Sequence, residues 1–440
     1  MQIDAATRSA LDLAWDKEAA EMNMERWLSV CDAEGWSRCP ENLPLLAGLF
    51  GASWYFTRFV FFRGNKLAKY FDRADKTDFT VETLRQLLLQ EHTTEALDDE
   101  LDRLRIAKNE VMLQILLGQL AATLDQEQIE QALSNLAEAT LWSVVQILGA
   151  DQNNPEAQMG ILAMGRLAGR EMNFGSDLDL IFLYPGESMD SSAIISRRVQ
   201  KLMRHIALLS PYGVLYEIDM RLRPHGTSGT LISSAPYFIQ YHNEKRAIWE
   251  RQMMTRCRAI IDADGMARRA LEQISSSIYG EYNQEHLKAE IVHMRKRVQE
   301  ELGSSKGNYE IKRGVGGIMD IDFLTHFLQL LHGNTHKGLQ TANTRAALRQ
   351  LGKVGIISEK VCNDLLSAYD FLKQIEGRLR VFDMKAISSF SQNVGDVHVL
   401  ARAMGYLETD MDNAAERFLN DYLQATQAVR QYFVTTLGEI

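Results

Sequence analysis

Residues 162–183 read LAMGRLAGREMNFGSDLDLIFL, and the interpretation of the whole chain starts from them. An apolar run leads into a glycine-rich turn, and a second apolar run begins with Asp177, Leu178 and Asp179. In a strand alternate side chains share a face, so the two carboxylates point the same way while Leu178 and Leu180 face the core. Neighbouring carboxylates repel each other unless a cation lies between them, and oxygen ligands suit Mg²⁺, which also binds phosphates. A glycine turn lets backbone N–H groups approach those phosphates. The pattern predicts a nucleotidyl-transfer site, although an isolated Asp-x-Asp is also typical of a solvated strand end.

Residues 215–223 form a second informative stretch, LYEIDMRLR, in which apolar and charged side chains alternate strictly. The alternation predicts a strand with one apolar and one charged face. An ordinary half-exposed strand would give the same pattern. Placed beside Asp177 and Asp179, however, this strand would supply a third carboxylate, Asp219, to the same metal cluster. Arg221 and Arg223 would then be available for phosphate or for charge developing on pyrophosphate.

Composition limits the function classes. The 440 residues are enough for two or three domains, and 46% hydrophobic with 24% charged residues is ordinary for a soluble globular protein. A net charge of −10 argues against broad binding of nucleic acid, which needs a basic surface. The four cysteines are too scattered for a zinc site or a disulfide framework, so a reduced, cytoplasmic setting is expected. No cleavable signal is expected, since charged residues interrupt the N-terminus.

One segment, residues 43–62, is apolar and close to membrane-spanning length. It contains Pro44, Gly48, Gly51 and Arg58, and we therefore interpret it as a buried helical hairpin, with a transmembrane helix as the alternative. No membrane association is expected.

Helical spacing of apolar residues dominates both ends of the chain. The expected organisation is an N-terminal helical region at 1–154, a nucleotidyl-transfer core at 155–265 and a C-terminal helical bundle at 266–440. The segment 149–155 is rich in Asn, Asp and Pro and marks the first boundary. The charged residues between Asp98 and Arg105 are interpreted as solvated faces. An amphipathic helix is predicted at 194–210, with Leu209 on its apolar side and its basic residues facing water.

Four further residues are weaker candidates for a site. Glu250 and Arg256 follow the core, but a surface ion pair explains them as well. Residues 311–324 read IKRGVGGIMDIDFL, and the glycines predict a turn that leads into a helix. Asp320 and Asp322 would then lie in its first turn, where the positive helix end favours acidic side chains, and a direct catalytic role is the alternative.

Several of these motifs together resemble the bacterial glutamine synthetase adenylyltransferase family, whose members transfer and remove AMP. The resemblance is carried by the block from Gly165 to Leu183, by YEIDMRLRP at 216–224, by WERQ at 249–252 and by GGIMDIDF at 316–323. It spans residues 43 to the C-terminus, and the order of separate motifs is more specific than any one of them. The glycine–Asp-x-Asp pattern is also similar to the superfamily that includes DNA polymerase beta.

The resemblance implies a mostly α, α+β fold with a polymerase-beta-like nucleotidyltransferase core, a small mixed sheet with helices, between the two helical regions. It implies Mg²⁺ as cofactor and ATP as the substrate from which AMP passes to a tyrosine of glutamine synthetase, in the regulation of nitrogen assimilation by the PII signalling protein. The residues that fall on the metal-binding, catalytic positions are Asp177, Asp179 and Asp219. Those assigned to nucleotide or phosphate binding are Gly165, Arg166, Gly175, Ser176, Arg221 and Arg223. The chain departs from the family pattern GKLGG at Arg166 and Ala168, which bears on phosphate geometry and backbone approach.

Members of that family carry two such halves, and the motifs here correspond to one; the second could belong to a separate chain. YEID, WERQ and DIDF look more like the adenylylating half, whereas DMR looks more like the half that removes AMP by phosphorolysis. Adenylylation is the favoured direction. Three alternatives stay open: the removing half, a uridylyltransferase of a PII-like protein, and a non-catalytic half that binds glutamine synthetase or PII.

Overall fold

The computed structural model describes residues 5–12, 14–36, 42–67, 78–90, 96–149, 159–186, 189–244, 246–262, 264–302, 308–408 and 413–439. All structural statements below refer to these ranges. The predicted boundary at 149–155 lies outside them except for its first residue.

Helices make up most of the described chain. The seven that precede the sheet are α1 (Ala5–Leu11), α2 (Lys17–Glu34), α3 (Leu43–Ala52), α4 (Trp54–Arg63), α5 (Val81–Leu88), α6 (Leu97–Leu120) and α7 (Gln126–Ile147). Those within the sheet region are α8 (Gly165–Gly169), α9 (Met189–Ala207), α10 (Ala235–Asn243) and α11 (Ile248–Met254). Those that follow are α12 (Met266–Ile278), α13 (Gln284–Leu302), α14 (Ile318–His332), α15 (Thr344–Lys353), α16 (Glu359–Asp383), α17 (Val394–Ala403) and α18 (Ala414–Leu437).

A small mixed sheet lies in the middle of the chain. Strand β1 (Gly160–Met164) pairs antiparallel with both β2 (Leu178–Tyr184) and β5 (Cys257–Ile261). Two short strands, β3 (Ile218–Asp219) and β4 (Ser233–Ser234), pair parallel with β2. A separate antiparallel pair joins β6 (Asn308–Glu310) to β7 (Ser389–Ser391). The fold is therefore α+β and mostly helical, as the sequence predicts.

Each face of this sheet belongs to a different hydrophobic core. Ile161 and Ala163 of β1 pack with helices α1 to α7 and α9 in what we call the N-terminal core. Leu162 and Met164 point the other way and pack with helices α10 to α18 in the C-terminal core. Strand β2 alternates in the same manner, with Leu178 and Leu180 in the N-terminal core, as expected. Asp179 therefore shares a face with Ile181 and Leu183, which belong to the C-terminal core. The domain bounds 1–154, 155–265 and 266–440 remain a prediction.

The segment 43–62 forms two consecutive helices, as predicted, of which α3 is largely buried while α4 exposes Trp54 and Phe62. Ser53 separates them, because its extended backbone ends α3 and its hydroxyl accepts the N–H of Phe56 to cap α4. Ser53 also donates to the carbonyl of Val381 in α16, at 2.6 Å. Among the described residues, no helix combines the length and apolar character needed to cross a membrane.

The strand predicted at 215–223 is wrong in length, since only Ile218 and Asp219 are paired. Local side-chain bonds take the backbone out of the sheet after them. The Asp219 carboxylate accepts the backbone N–H of Arg221 at 2.8 Å, and the Arg223 guanidinium donates to the carbonyl of Met220 at 2.7 Å. As a result Leu222 packs against the C-terminal core, while Met220 lies in the N-terminal core.

Two other expectations about surface residues are corrected. Leu209 lies beyond the end of α9 and is 76% exposed, so it is not part of the helix's apolar side. Arg105 is buried, not solvated: it pairs with Asp102 at 2.7 Å and donates to the carbonyls of His205 and Leu208. Together with Lys108, which donates to the carbonyls of Val214 and Leu215, Arg105 anchors the chain that leads into β3.

Candidate active site

The sheet brings the three predicted aspartates together. Asp179 in β2 lies directly opposite Asp219 in β3, because the two strands pair parallel in that register. Asp177 immediately precedes β2 and lies close enough for its charge to act on Asp179. The three carboxylates thus meet at the beginning of β2, on the side of the C-terminal core.

Gly165 closes one side of this cluster. Its φ of +56° is in the left-handed region, and a Cβ added there would lie 2.8 Å from Oδ2 of Asp179. Any other residue would therefore meet backbone strain and the carboxylate at once. This close approach of backbone to a carboxylate is the reason that the turn after β1 carries glycine.

The charges in the cluster are unevenly compensated. Burial, followed by the charges of Asp177 and Asp219, raises the pKa of Asp179 to about 7. By contrast, hydrogen bonds from Arg221 lower the pKa of Asp219 despite its partial burial. Nε of Arg221 lies 2.8 Å from Oδ2 of Asp219, and the Arg221 side chain is 74% exposed. The cluster has excess negative charge, which favours a cation at Asp177 and Asp179.

The donor set suits Mg²⁺ because it consists of carboxylate oxygens alone. In the described part of the chain, however, no three His, Cys, Asp or Glu side chains are already arranged to hold a metal ion. The third carboxylate, Asp219, pairs with the guanidinium of Arg221. The residues fit the ion in chemistry, and Asp219 would exchange its arginine for it.

The turn that precedes Asp177 is fixed from outside the sheet region. Gly175 has a φ of +62°, and a Cβ there would lie 2.6 Å from the carbonyl oxygen of Met384. Oγ of Ser176 accepts the N–H of Asn173 at 3.1 Å and Nη1 of Arg380 at 3.0 Å. The glycine and serine of the motif therefore contact the C-terminal end of α16.

Two of the predicted phosphate-binding arginines have their guanidinium groups engaged elsewhere. Arg223 donates to carbonyls of its own turn, including those of Met220 and Gly229. Arg166 is directed away from the three aspartates, with Nη2 2.7 Å from Oδ2 of Asp322. Position 166, where the family pattern has lysine, therefore carries an arginine that forms a buried ion pair. The methyl group of Ala168 lies in the N-terminal core.

Arg166 belongs to a buried cluster of five side chains, which we call the ion cluster: Arg166, Glu171, Arg256, Asp322 and Tyr369. Nη1 of Arg256 lies 3.1 Å from Oδ1 of Asp322, and Arg256 also pairs with Glu171. The Tyr369 hydroxyl donates to Oε2 of Glu171 at 3.1 Å and accepts from Arg166 at 2.6 Å. Burial alone would raise the pKa of Asp322, but Arg166 and Arg256 hold it at about 2. The cluster joins the turn after β1 to helices α14 and α16.

The weaker candidates prove to have structural partners. The surface ion pair expected for Arg256 is wrong, because this arginine is buried in the ion cluster. Glu250 accepts the Tyr241 hydroxyl at 2.5 Å and the backbone N–H of Ala247 at 3.3 Å, capping its own helix. Asp320 is fully buried and accepts Nε of Arg295 at 2.6 Å. Asp320 lies in the first turn of α14, as expected. The expected place of Asp322 in that turn is wrong, because Asp322 lies beyond it and pairs with Arg166 and Arg256.

Lys312 was not singled out in the sequence. It lies in the turn before α14, and its charge lowers the pKa of Asp179. Burial lowers the pKa of Lys312 itself to about 8. Its Nζ has no hydrogen-bond or ion-pair partner among the described residues, so it is a cation available near Asp179. Only its place in the glycine-rich stretch 311–317 could have indicated it.

Comparison with known proteins identifies related families. Residues 45–273 match the family model described as glutamate-ammonia ligase adenylyltransferase. Residues 285–437 match the model described as PII-uridylyltransferase.

Curated relatives carry the name bifunctional glutamine synthetase adenylyltransferase/adenylyl-removing enzyme. The one from Chromobacterium violaceum is 30% identical over 293 residues, covering 66% of this chain and 32% of the relative. The one from Nitrosomonas europaea is 30% identical over 346 residues, covering 77% and 35%. The one from Mycobacterium avium is 31% identical over 293 residues, covering 64% and 28%. The chain thus spans about a third of the length of these relatives.

Proposed function

The chain belongs to the glutamate-ammonia ligase adenylyltransferase family, and on that premise we propose that it transfers AMP from ATP to a tyrosine hydroxyl of glutamine synthetase. The region around β1, β2 and β3 is proposed as a nucleotidyltransferase core of the polymerase-beta type. The observation that carries the proposal is the register of Asp179 with Asp219, with Asp177 beside them and a positive-φ glycine on either side of the cluster. Regulatory modification of one protein by nucleotidyl transfer needs such an acidic cluster next to a phosphate-approaching turn.

In this proposal Asp177, Asp179 and Asp219 hold Mg²⁺. When bound, the ion supplies a Lewis acid that polarises the transferring phosphate and stabilises the departing pyrophosphate. Burial and the neighbouring charges of Asp177 and Asp219 raise the pKa of Asp179 to about 7, and a cation bound between these carboxylates would offset that repulsion.

The remaining residues bind or position the nucleotide. Gly165 lets its turn lie against Asp179, and Gly175 lets its turn lie against the carbonyl of Met384. The Ser176 hydroxyl donates to a phosphate oxygen. Arg221, once released from Asp219, and Lys312 neutralise charge on the leaving group. Arg223 and Arg166 hold their own turns, Arg223 through backbone carbonyls and Arg166 through Asp322 and Tyr369.

The direction of transfer is the finer part of the proposal. The relatives are named for both adenylyl transfer and adenylyl removal, and each alignment covers about a third of a relative. The motifs YEID, WERQ and DIDF support adenylylation. Removal by phosphorolysis uses the same three aspartates and is the alternative.

The match of residues 285–437 to a PII-uridylyltransferase model supports a second element of the proposal. We propose that helices α13 to α18, which make up this region, respond to a PII-type signalling protein. Transfer of UMP to such a protein is the second candidate function.

A transfer experiment distinguishes these possibilities. Purified chain is incubated with Mg²⁺, ATP labelled at the α-phosphate and unmodified glutamine synthetase, with labelled UTP and PII protein as a parallel reaction. Label from ATP on the synthetase supports adenylylation, and label from UTP on PII supports the second candidate. If neither protein is labelled, AMP-modified synthetase with phosphate is tested for release of ADP. If no label is transferred and no ADP is released in the three reactions, an enzymatic role for this chain is refuted.

A further inference from the structure

We propose that Arg380 is a positioning residue of the nucleotide site, which directs the Ser176 hydroxyl proton toward a phosphate oxygen of the bound nucleotide. Arg380 lies in α16, 204 residues from Ser176 in the chain, and the inference rests on the proposed nucleotide-binding function.

The hydrogen bonds of Ser176 determine what its hydroxyl can still do. A serine hydroxyl has one proton to donate and two lone pairs that accept. Both accepting positions of Oγ are used, one by the N–H of Asn173 at 3.1 Å and one by Nη1 of Arg380 at 3.0 Å. Within the described ranges Ser176 Oγ donates to no acceptor. The hydroxyl is therefore left as a donor, which is the role that a phosphate requires.

Arg380 is itself held in a single orientation. It is 6% exposed, and each of its three nitrogens donates to a different group. Nε donates to the carbonyl of Ile387 at 3.2 Å, and Nη2 donates to Oε1 of Glu376 at 2.8 Å. Glu376 is in turn fixed by Lys373 at 2.6 Å and by the side-chain amide of Asn173 at 2.9 Å. The guanidinium thus presents one N–H to Ser176 and cannot rotate away without breaking the other two bonds.

Backbone contact holds the same turn against α16. Gly175 packs on the carbonyl of Met384, which itself has a positive φ of 54° at the end of the helix. Asn173, Gly175 and Ser176 all contact residues 376–384. The end of α16 therefore fixes the position of the turn before Asp177. A movement of α16 would alter nucleotide affinity through Arg380 before it altered the three aspartates.

The test measures Mg-ATP binding by calorimetry in the full chain for R380M, R380K, S176A and the double variant S176A/R380M. Loss of one hydrogen bond to a charged phosphate is expected to weaken binding about tenfold. S176A and R380M should each show that loss, and the double variant should bind as S176A does, because Arg380 acts through Ser176. R380K keeps a positive charge and a donor but loses the three-nitrogen geometry, and its affinity is expected to lie between those of R380M and wild type. R349M, which removes an exposed arginine paired with Glu127, is the matched control and should bind as wild type.

The outcomes separate this proposal from the proposed function. Wild-type protein that binds no Mg-ATP would contradict both. Wild-type binding with an unchanged affinity in S176A would overturn the role of the hydroxyl, whether or not R380M folds. Additive losses in the double variant, or an unchanged affinity in R380M, would show that Arg380 does not act through the Ser176 hydroxyl, and would overturn the positioning role.

Discussion

Replacement of Asp322 by alanine tests the ion cluster most severely. The variant D322A removes the carboxylate that pairs with both Arg166, at 2.7 Å, and Arg256, at 3.1 Å. Glu171 alone then remains to compensate the two buried guanidinium groups. A catalytic role for Asp322 predicts lost activity with unchanged stability, whereas the structure predicts a strongly destabilised fold.

The size of the effect follows from two arguments. The pKa of Asp322 is held at about 2, against an ordinary value of 3.8, which is worth about 2 kcal/mol of stability at neutral pH. Because the pKa is lowered in the folded state, this contribution is complete above pH 4 and is lost as the pH falls through 2. Truncation also leaves buried positive charge, so D322A is expected to lower the free energy of unfolding by about 3–5 kcal/mol.

Urea-induced unfolding followed by circular dichroism measures this change in D322A. The control is D364A, which removes a carboxylate that pairs on the surface with Lys360, a side chain that is 79% exposed. Asp364 also accepts the Tyr432 hydroxyl, and both of these contacts are at the surface, so D364A should stay close to wild type in stability. If D322A unfolds within about 1 kcal/mol of wild type, as D364A should, the ion cluster does not stabilise the fold and the reasoning fails.

Three further predictions concern single side chains. Burial lowers the pKa of His326 to about 4, so its protonation should destabilise the fold by about 3 kcal/mol as the pH falls from 6.5 to 4. In calorimetry, H326Q should therefore show a weaker fall of Tm with falling pH than wild type. The same fall of Tm in both proteins would refute this prediction. G165A should lower AMP transfer more than tenfold, because the added methyl group meets Asp179. The control G355A, also at positive φ but facing open space, should leave transfer unchanged. Equal activities of the two variants would contradict the argument from close approach. K108M removes the donor to the carbonyls of Val214 and Leu215, and should lower the free energy of unfolding in urea by about 1–3 kcal/mol. A loss below about 0.5 kcal/mol would show that these carbonyls find other partners.

The sequence predicted the helices and the two long strands of the sheet, because each of them has a recognisable local pattern of apolar residues. The sequences of β1 and β2 are nearly continuous apolar runs because both strands are buried on both faces, and the two-residue spacing of Asp177 and Asp179 at the start of the second run indicates the site. The sequence also predicted that Asp219 lies beside Asp177 and Asp179, and the two paired residues of β3 are enough to place it there.

Other features were hidden from the sequence for physical reasons. The extent of β3 is set by side-chain bonds from Asp219 and Arg223 to nearby backbone, which the alternation of residue types does not indicate. Arg105 and Lys108 fall in a charged stretch that looks solvated, yet both satisfy carbonyls about 100 residues away. Arg380 and Ser176 are likewise joined only by the tertiary fold.

The central claim is that the three aspartates hold a divalent cation on which nucleotide binding and transfer depend. Binding of Mn²⁺, a paramagnetic substitute for Mg²⁺, is measured by electron paramagnetic resonance in the presence of ATP for wild type, D179N and the control D364N. The account predicts that wild type and D364N bind the ion with nucleotide, and that D179N loses this binding while its Tm stays near that of wild type. Undiminished Mn²⁺ binding by D179N would contradict the account.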